Sequence, residues 1–503
     1  MKQLVGVDVG TTHCKAGLID GDGSMRVVAR RATPTRRSNT GVSFYDPDEL
    51  WATVAAAMRE VVAAAASASI AAVGIASMAE TGLLIDRRTG DARTPLLPWF
   101  DTAAAPAADR IARAADLRER FLATGQYPSY KSTLSKLLLL RSQDSGITDG
   151  ATWLSAADYI VYRLTGTMAT DYTLAARTYA FGLERRAWDD AWLHEWGLSA
   201  DLFPQPGPSG APAGAIAAEQ AERVGLAAGT PVAVAGHDHL CAALAAGAVK
   251  PGCVFDSIGT AETLIGAVPD RPLGRTEYES GLTYGPHVVP GRLYWMGGLS
   301  AAGGSMEWLR GMLDDPPLAY DQFLSLVEAA GPEPTGIIYF PYLLGSGTPH
   351  PDALAKGAFV GLSAEHGRPH LAKAVLEGTA YELEFIRRAA EQATGVPIRT
   401  LRVAGGGARD DHWVQIKADV GGCRCEVPPL PEAAVLGAAM IAGIGAGLYR
   451  DAHEAVRATG QQASAVFVPD DRRHQPYRHL YEHGYLPFQQ PLRQFGRTIG
   501  RQS

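Results

Sequence analysis

The stretch Val5-Gly6-Val7-Asp8-Val9-Gly10-Thr11-Thr12, continued by HCKAGLI at 13–19, reads as an apolar strand, a glycine turn and a second apolar strand. Asp20-Gly21-Asp22-Gly23 then makes a hairpin turn, and MRVVARRAT at 25–33 supplies a third strand. Three sequential antiparallel strands argue against a dinucleotide-binding start, which places a helix directly after its glycine turn. CVFDSIGTAETLIGAV at 253–268 repeats the theme: strand, Gly-Thr turn, strand. Two related lobes that each open this way would set two phosphate-binding turns face to face.

Strand and helix units fill the space around these hairpins. A helix is expected from about Asp48 to Ala66, behind Pro47 and with Glu49 in its first turn. AAVGIAS at 71–77 and part of TGLLIDRRTG at 81–90 read as strands. A leucine-rich helix follows Ser132, and WLSAADYIVYRLTG at 153–166 has helical apolar spacing with a glycine to end it. The Pro/Gly-rich QPGPSGAPAGA at 205–215 reads as a connector. PVAVAG at 231–236 is a strand that leads into a helix, LCAALAAGA at 240–248. In the second half a long helix spans about 368–394, and LRVAGGGARDDHWVQIKADV at 401–420 is strand, glycine turn and helix. PEAAVLGAAMIAGIGAGLY at 431–449 is a helix opened by proline. The last fifty residues are more polar, carry loosely spaced tyrosines, and read as a terminal helix and tail.

At 503 residues the chain exceeds what one hydrophobic core usually supports. Two domains are expected, 1–247 and 248–503. Hydrophobic residues at 46% and charged residues at 20% are a globular balance, and a formal charge of -7 gives no reason to expect nucleic acid or an anionic membrane as partner. VVAAAASASIAAVGIA at 61–76 is uncharged, but a spanning helix needs roughly 20 predominantly apolar residues. It reads as the end of a buried helix, a turn and a strand. Five cysteines (Cys14, Cys241, Cys253, Cys423 and Cys425) in so large a chain fit a reducing compartment. MKQLVGVDVG has no basic leader followed by an apolar stretch, so no signal peptide is expected, and the expected location is cytoplasmic.

Four short constellations can carry chemistry. Asp8, at the end of a buried strand, needs a partner when ionised. Beside Gly10, Thr11 and Thr12 it can hold Mg²⁺ while the turn holds phosphate oxygens, and an ordinary capped turn is the competing reading. Gly259-Thr260 is the equivalent turn of the second half. Gly405-Gly406-Gly407-Ala408-Arg409-Asp410 puts three glycines between an apolar strand and a helix, which is costly in backbone entropy. Close approach of the backbone to a flat ligand such as a nucleotide is one reason to keep them. It is neither a P-loop nor the dinucleotide fingerprint. Gly236-His237-Asp238-His239 lies where a strand ends and a helix begins. There Asp238 can take the proton of a substrate hydroxyl, or simply cap the helix. Zinc on His237, His239 and Cys241 is a rival that a helix start disfavours by scattering the side chains. Cys423 and Cys425 have no second pair nearby and read as one in, one out on a strand.

In this order and spacing, these sites resemble the FGGY family of carbohydrate kinases, from Leu4 to about Tyr449. The strongest segment is GAFVGLSAEHGRPHLAKAVLEG at 357–378. It is similar to the family's C-terminal signature at Gly357, Phe359, Gly361, Leu362, His370, Leu371 and Ala374 to Glu377. TGQYPSYKSTLSKLLLL at 124–140 resembles the N-terminal signature region, with Lys136 in place. The resemblance implies an α/β chain of two domains with the actin-like, ribonuclease-H-like ATPase fold and an interdomain catalytic cleft. It implies ATP and Mg²⁺, with Asp8 beside the metal and Asp238 as general base. Gly10, Thr11 and Thr12 then form the first phosphate loop, and Gly259 and Thr260 the second. Gly405, Gly406 and Gly407, with Asp410 nearby, form the adenosine loop. The family's sugar-contacting positions fall on Met78, Ala79, Glu80, Trp99, Asp101, Tyr130, Lys131 and His239. The partner implied is a small sugar or polyol, and family habit implies a homodimer.

Departures from the family's patterns bear on the substrate. Glycerol kinases carry Gln-Arg-Glu-Thr where this chain has Met78-Ala79-Glu80-Thr81. Xylulose kinases typically carry Gln-Met-His-Gly there, and Asp-Asn where this chain has Asp238-His239. Thr348-Pro349-His350 looks xylulokinase-like, but Leu344-Gly345-Ser346-Gly347 replaces the usual Ser-Gly-Glu-Arg before it. Lys131 falls where glycerol kinases place a sugar-contacting tyrosine, and a lysine favours an acidic or hydroxyl-rich substrate. The expectation is ATP-dependent phosphorylation of a hydroxyl, terminal by family habit, on D-xylulose or another ketopentose. L-fuculose, D-ribulose, erythritol and glycerol are the alternatives. A substrate-independent ATPase and a non-catalytic sugar sensor are readings of a different class on the same fold. The signature at 357–378 and Asp238 argue against the ATPase, and Asp8, Asp238 and the paired phosphate loops argue against the sensor.

Overall fold

The computed structural model describes residues 2–65, 70–460 and 462–500. Residues 66–69 of the alanine-rich stretch, and with them the expected helix end at Ala66, lie outside the described residues. The opening hairpins form as expected. Gln3–Val9 pairs antiparallel with His13–Asp20, which pairs antiparallel with Met25–Ala32. On its other side Gln3–Val9 is joined in parallel by Ile70–Ser77, and that strand by Pro231–His237. Pro212–Ala215 completes a six-stranded sheet as its edge. Part of the expected 205–215 connector is therefore a strand, and its proline is tolerated because an edge leaves one row of amides unused.

The second sheet repeats this order. Cys253–Ile258 pairs antiparallel with Glu262–Pro269, which pairs antiparallel with Arg292–Leu299. Thr400–Gly405 and Arg424–Val427 extend the sheet in parallel register, and Thr283–Pro286 and Ala465–Phe467 form the edges of its seven strands. Val9, Ser77 and His237 end the parallel strands of one sheet, and Ile258 and Gly405 those of the other. The carboxyl ends of parallel strands are where open α/β sheets bind ligands.

Gln3–Val9 is buried from Leu4 onward because helices cover both of its faces. The helix Pro47–Ala63 lies on one side, started by Asp46, whose Oδ1 accepts from Glu49 N at 2.9 Å. The helix Ala433–Gly445 lies on the other, although it belongs to the second half of the chain. A Cβ on Gly6 would run into the carbonyl of Val435, and one on Gly74 into that of Ala438. Gly437 lies equally close to the carbonyl of Cys241 in the helix Asp238–Ala245. These two helices form one apolar core with Leu4, Ala235, Phe255, Ile265 and Ala404, which joins the sheets across the chain's midpoint.

Three further expectations are corrected. WLSAADYIVYRLTG is not a single helix: Ala151–Ser155 is a strand paired with Gly82–Asp86. The helix starts at Ala156, where Ser155 and Asp158 cap each other's backbone amides, and Gly166 ends it at φ 74°. Cys423 and Cys425 are both buried rather than one in, one out, because the strand begins only at Arg424 and Cys423 packs beside Gly421. The late tyrosines are not loosely placed. Helices Asp471–Leu480 and Leu486–Gly500 flank a π-helical turn, Tyr481–Tyr485. Tyr477, Tyr481 and Tyr485 thereby share one buried face against Tyr381 of the helix Arg368–Thr394. Among the described residues, no helix is long and apolar enough to cross a membrane.

Candidate active site

Asp8 comes from the strand Gln3–Val9, and Asp238 opens the helix after Pro231–His237, so both carboxyls arrive at the same strand ends. They line an open cleft of ≈ 760 Å³, with Lys15 and His239 on their side and Ser257, Gly405 and Gly406 across from them. Asp8 Oδ1 is buried with no hydrogen-bond partner among the described residues. Burial, then the charge of Asp238, pushes Asp8 up to about 7, and burial pushes Asp238 up to about 7 as well. Lys15 opposes both shifts, but its ammonium is held by Glu432 Oε2 at 2.6 Å. Two crowded carboxyls with one shared, already engaged cation fit a hard divalent ion.

Asp238 does not act as a simple helix cap. His237 occupies the cap position, and Asp238 Oδ1 accepts from the adjacent His239 amide at 2.6 Å while lying 3.3 Å from His237 Nε2. Ligand atoms of His237, Asp238 and His239 come within 4.8 Å of one another. Cys241 stands apart from that group, its Sγ donating to Ala235 O at 3.5 Å in the core.

The two Gly-Thr turns are each braced from behind. Gly10 N donates to His13 O at 3.2 Å, Tyr45 OH donates to Thr11 O at 3.0 Å, and Trp99 Nε1 donates to Thr11 Oγ1 at 2.9 Å. In the second turn Gly259 N donates to Ala261 O at 2.9 Å. Gly303 N and Gly304 N, which open the helix Gly303–Leu313, donate to the carbonyls of Gly259 and Thr260, both at 3.0 Å. Thr12 and Thr260 remain exposed.

The triple glycine divides into two roles. Gly405 has φ 95°, and a Cβ there would strike Ile258 O. A Cβ on Gly407 would strike Ile258 Cγ2 and come within 2.8 Å of the Trp413 ring. Packing of the protein on itself accounts for these two. A Cβ on Gly406 would meet no protein atom within 4 Å, and Gly406 lines the cleft. Asp410 lies behind the turn, where Oδ1 caps the following helix by accepting from Trp413 N at 3.1 Å.

The sugar-contact candidates separate in the same way. Met78 and Ala79 are buried, with Met78 Sδ accepting from Thr11 Oγ1 at 3.6 Å. Both oxygens of Asp101 are engaged by backbone amides, Ser43 N at 2.7 Å and Ala103 N at 2.9 Å. Glu80, Trp99, Tyr130 and Lys131 are half-buried, with the Lys131 ammonium 5.0 Å from the Trp99 ring centre and 6.0 Å from that of Tyr130. Glu80 holds φ 56°, a left-handed backbone rare outside glycine. Arg177 keeps it there, donating from Nε to Glu80 Oε1 at 2.8 Å and from Nη2 to the same oxygen. The buried Lys136 donates to Glu80 O and to Leu97 O, the latter at 3.2 Å. Arg177 was not among the expected residues. Its partners Glu80 and Gln126 lie far from it in the chain, and nothing in Leu174-Ala175-Ala176-Arg177-Thr178 marks it.

Known proteins are consistent with this architecture. Residues 3–245 match the N-terminal domain, and residues 256–446 the C-terminal domain, of the FGGY family of carbohydrate kinases. A xylulose kinase of Bacillus subtilis (strain 168) is 27% identical over 494 residues, 96% of each chain. A glycerol kinase of Gloeobacter violaceus is 31% identical over 476 residues, 93% of each chain. The crystal structure of xylulose kinase from Rhodospirillum rubrum superposes with a TM-score of 0.89 at 25% identity, covering 99% of this chain and 100% of that one. With both domain matches in order along the chain, and the paired sheets enclosing one cleft, this protein belongs to the FGGY family of carbohydrate kinases.

Proposed function

We propose that the chain transfers the γ-phosphoryl group of ATP to a hydroxyl, a terminal one, of a small sugar, with D-xylulose or another ketopentose as the leading acceptor. The observation that carries the reading is the pair Asp8 and Asp238, set together at the strand ends and facing the open Gly406 across the cleft. L-fuculose, D-ribulose, erythritol and glycerol stay as alternatives, since named relatives include a xylulose kinase and a glycerol kinase at similar identity.

ATP is the second substrate, with Gly406 as the face open to its adenosine and the exposed Thr12 and Thr260 turns as the groups for its phosphates. Asp8 would hold Mg²⁺ through its unpartnered Oδ1, and the ion would neutralise charge building on the transferred group. Asp238 orients the attacking hydroxyl and takes its proton as the new O–P bond forms. Burial makes this carboxylate a stronger base than an exposed one. Glu80, fixed by Arg177, accepts hydroxyl donors of the sugar, and Trp99 covers its apolar face. Closure of the lobes over the cleft would exclude water, the competing nucleophile.

An ADP-release assay with Mg-ATP against ketopentoses, deoxyketoses, tetritols, glycerol and gluconate, with the product identified by mass, tests the reading. The expected result is turnover on the order of 1–100 s⁻¹ with a ketopentose. Asp238→Ala should abolish it while nucleotide still binds. ATP hydrolysis at one rate with or without any acceptor would replace the kinase by an ATPase.

A further inference from the structure

Three ionisable side chains, Lys417, Glu262 and Asp256, meet fully buried inside the second half of the chain. The Lys417 ammonium is ion-paired with Glu262 Oε1 and lies 3.8 Å from Asp256 Oδ2. Burial works against the charge on Lys417, but Glu262 and then Asp256 more than offset it and hold the lysine above its ordinary range. Burial, and then the charge of Glu262, pushes Asp256 well above the usual carboxylate range. The cluster is therefore one ion pair, Lys417 with Glu262, beside an Asp256 that keeps its proton. Stability is a poor reason for such a pair, since well-packed apolar residues in its place are often as stable or more so.

Its place in the chain supplies a better one. Glu262 opens the strand Glu262–Pro269 directly after Gly259-Thr260-Ala261, and it pairs across that turn with Ile258. Asp256 lies two residues before Ile258 on the incoming strand, so it shares the face of the sheet to which Ile258 and Glu262 point. Lys417 comes from the helix Asp411–Gly421, which leaves the turn Gly405 to Asp410. Trp413, one helical turn earlier, belongs to the same core as Ile258, and the Lys417 ammonium lies 5.4 Å from its ring centre. The two turns are thus joined where their strands enter, by the pairing of Ile258 with Gly405, and the ion pair joins them again where the chain leaves each. Both turns belong to the cleft of Asp8 and Asp238, with Ser257, Gly405 and Gly406 on its wall. The energy of a buried ion pair depends steeply on separation, which suits a joint that keeps two turns in register.

We propose that the Lys417–Glu262 pair is a positioning device for ATP: it fixes the second phosphate turn against the adenosine turn and so sets where the γ-phosphoryl group stands relative to Asp238. Both residues act through the turns and touch neither substrate. The inference rests on the kinase reading above.

The test uses the full chain with Mg-ATP and the acceptor that the parent turns over. Lys417→Met removes the ammonium, Glu262→Gln keeps a carbonyl oxygen for it, and Glu262→Leu combined with Lys417→Met replaces the pair by apolar side chains. Lys417→Met should raise KM for ATP and lower kcat, each about tenfold, with KM for the acceptor unchanged. Glu262→Gln should keep part of what Lys417→Met loses. The apolar pair should melt above Lys417→Met, because it leaves no unpaired carboxylate buried, and yet keep the kinetic defect. Should Lys417→Met fail to fold, the apolar pair is compared with the parent directly. Parental kinetics in the apolar pair, or an equal rise in both KM values, would mean that the ions serve packing alone, and overturns the inference while the kinase stands. No turnover of any acceptor by the parent, with Mg-ATP still bound, removes the kinase reading instead. Positioning is then read from calorimetric binding of Mg-ATP, where a Kd about tenfold higher in the apolar pair supports it and a parental Kd overturns it.

Discussion

Gly406 and Gly407 are neighbours that lack a side chain for opposite reasons, and substitution separates them. Gly407→Ala must displace Ile258 or Trp413 and should cost about 1–3 kcal/mol, read as a lowered melting temperature. Gly406→Ala meets open space and should melt like the parent, while its methyl raises KM for ATP. If Gly406→Ala left KM unchanged, the nucleotide would have to lie elsewhere. Asp8 carries a second prediction. Its pKa is raised in the folded state, so the folded chain holds a proton that the unfolded chain releases near the ordinary value of 3.8. Stability from this group is therefore lost as pH rises from about 4 through about 7. Asp8→Asn should stabilise the ligand-free protein at pH 8 by on the order of 1 kcal/mol, a gain that shrinks as pH falls below 7, while phosphoryl transfer is lost. Denaturant melts at pH 8 and pH 5 check the sign. The place of Asp8 and Asp238 at the cleft was legible in the sequence because Asp8 lies one residue before the end of an apolar strand and Asp238 directly follows one. Arg177 was not, because its role exists only once Glu80 is folded against it.

Helix and strand boundaries were legible where a capping signal and an apolar period agree. Arg368–Thr394 is bracketed by Gly367 and Pro369 at one end and by Gly395, at φ 69°, at the other. At Trp153-Leu154-Ser155 the apolar period ran on past the cap, and the capping box at Ser155 is the signal that outweighs it. The tyrosine face was hidden by its medium, since a polar segment with a π-helical turn departs from the usual 3.6-residue period. That face serves two buried carboxylates. Tyr477 OH donates to Glu377 Oε1 at 2.9 Å, and Glu382 accepts from Tyr485 OH and from Tyr342 OH, the latter at 3.1 Å. Burial pushes Glu382 up to about 7, against which these donors favour its ionised form. Tyr485→Phe should therefore destabilise by about 1–3 kcal/mol at pH 8, where the carboxylate is charged, and by less at pH 6. An equal loss at both pH values would mean that the hydroxyl serves packing alone.

At the scale of the whole molecule, the repeat of strand–turn–strand foretold two matched sheets, but not how the chain shares its helices between them. Ala433–Gly445 covers the sheet built from residues 3–77 and 212–237, and it touches the helix Asp238–Ala245 through Gly437. No period in the local sequence reveals which sheet a small-residue helix will join, because glycine and alanine on every side allow close approach anywhere. The consequence is mechanical. The first sheet has a face, with Leu4, Ala72 and Ala76 beside Gly6 and Gly74, that the distant helix Ala433–Gly445 closes. A fragment of residues 1–247 would expose that face and leave the core shared by the sheets without half its members. It should aggregate or stay protease-sensitive when made alone, and become soluble and resistant when made together with residues 248–503. Gly6→Ala in the full chain tests the same contact more gently, since its methyl pushes the Val435 carbonyl away and should cost about 1–3 kcal/mol. Because Asp8 lies on the strand that this helix covers, and Glu432 at the helix start holds Lys15 beside Asp8, the displacement should reach the site. Gly6→Ala is thus expected to lower kcat more than its stability loss explains at temperatures well below melting. A variant that melts earlier yet turns over at the parental rate would show that the helix seals the sheet without setting the position of Asp8.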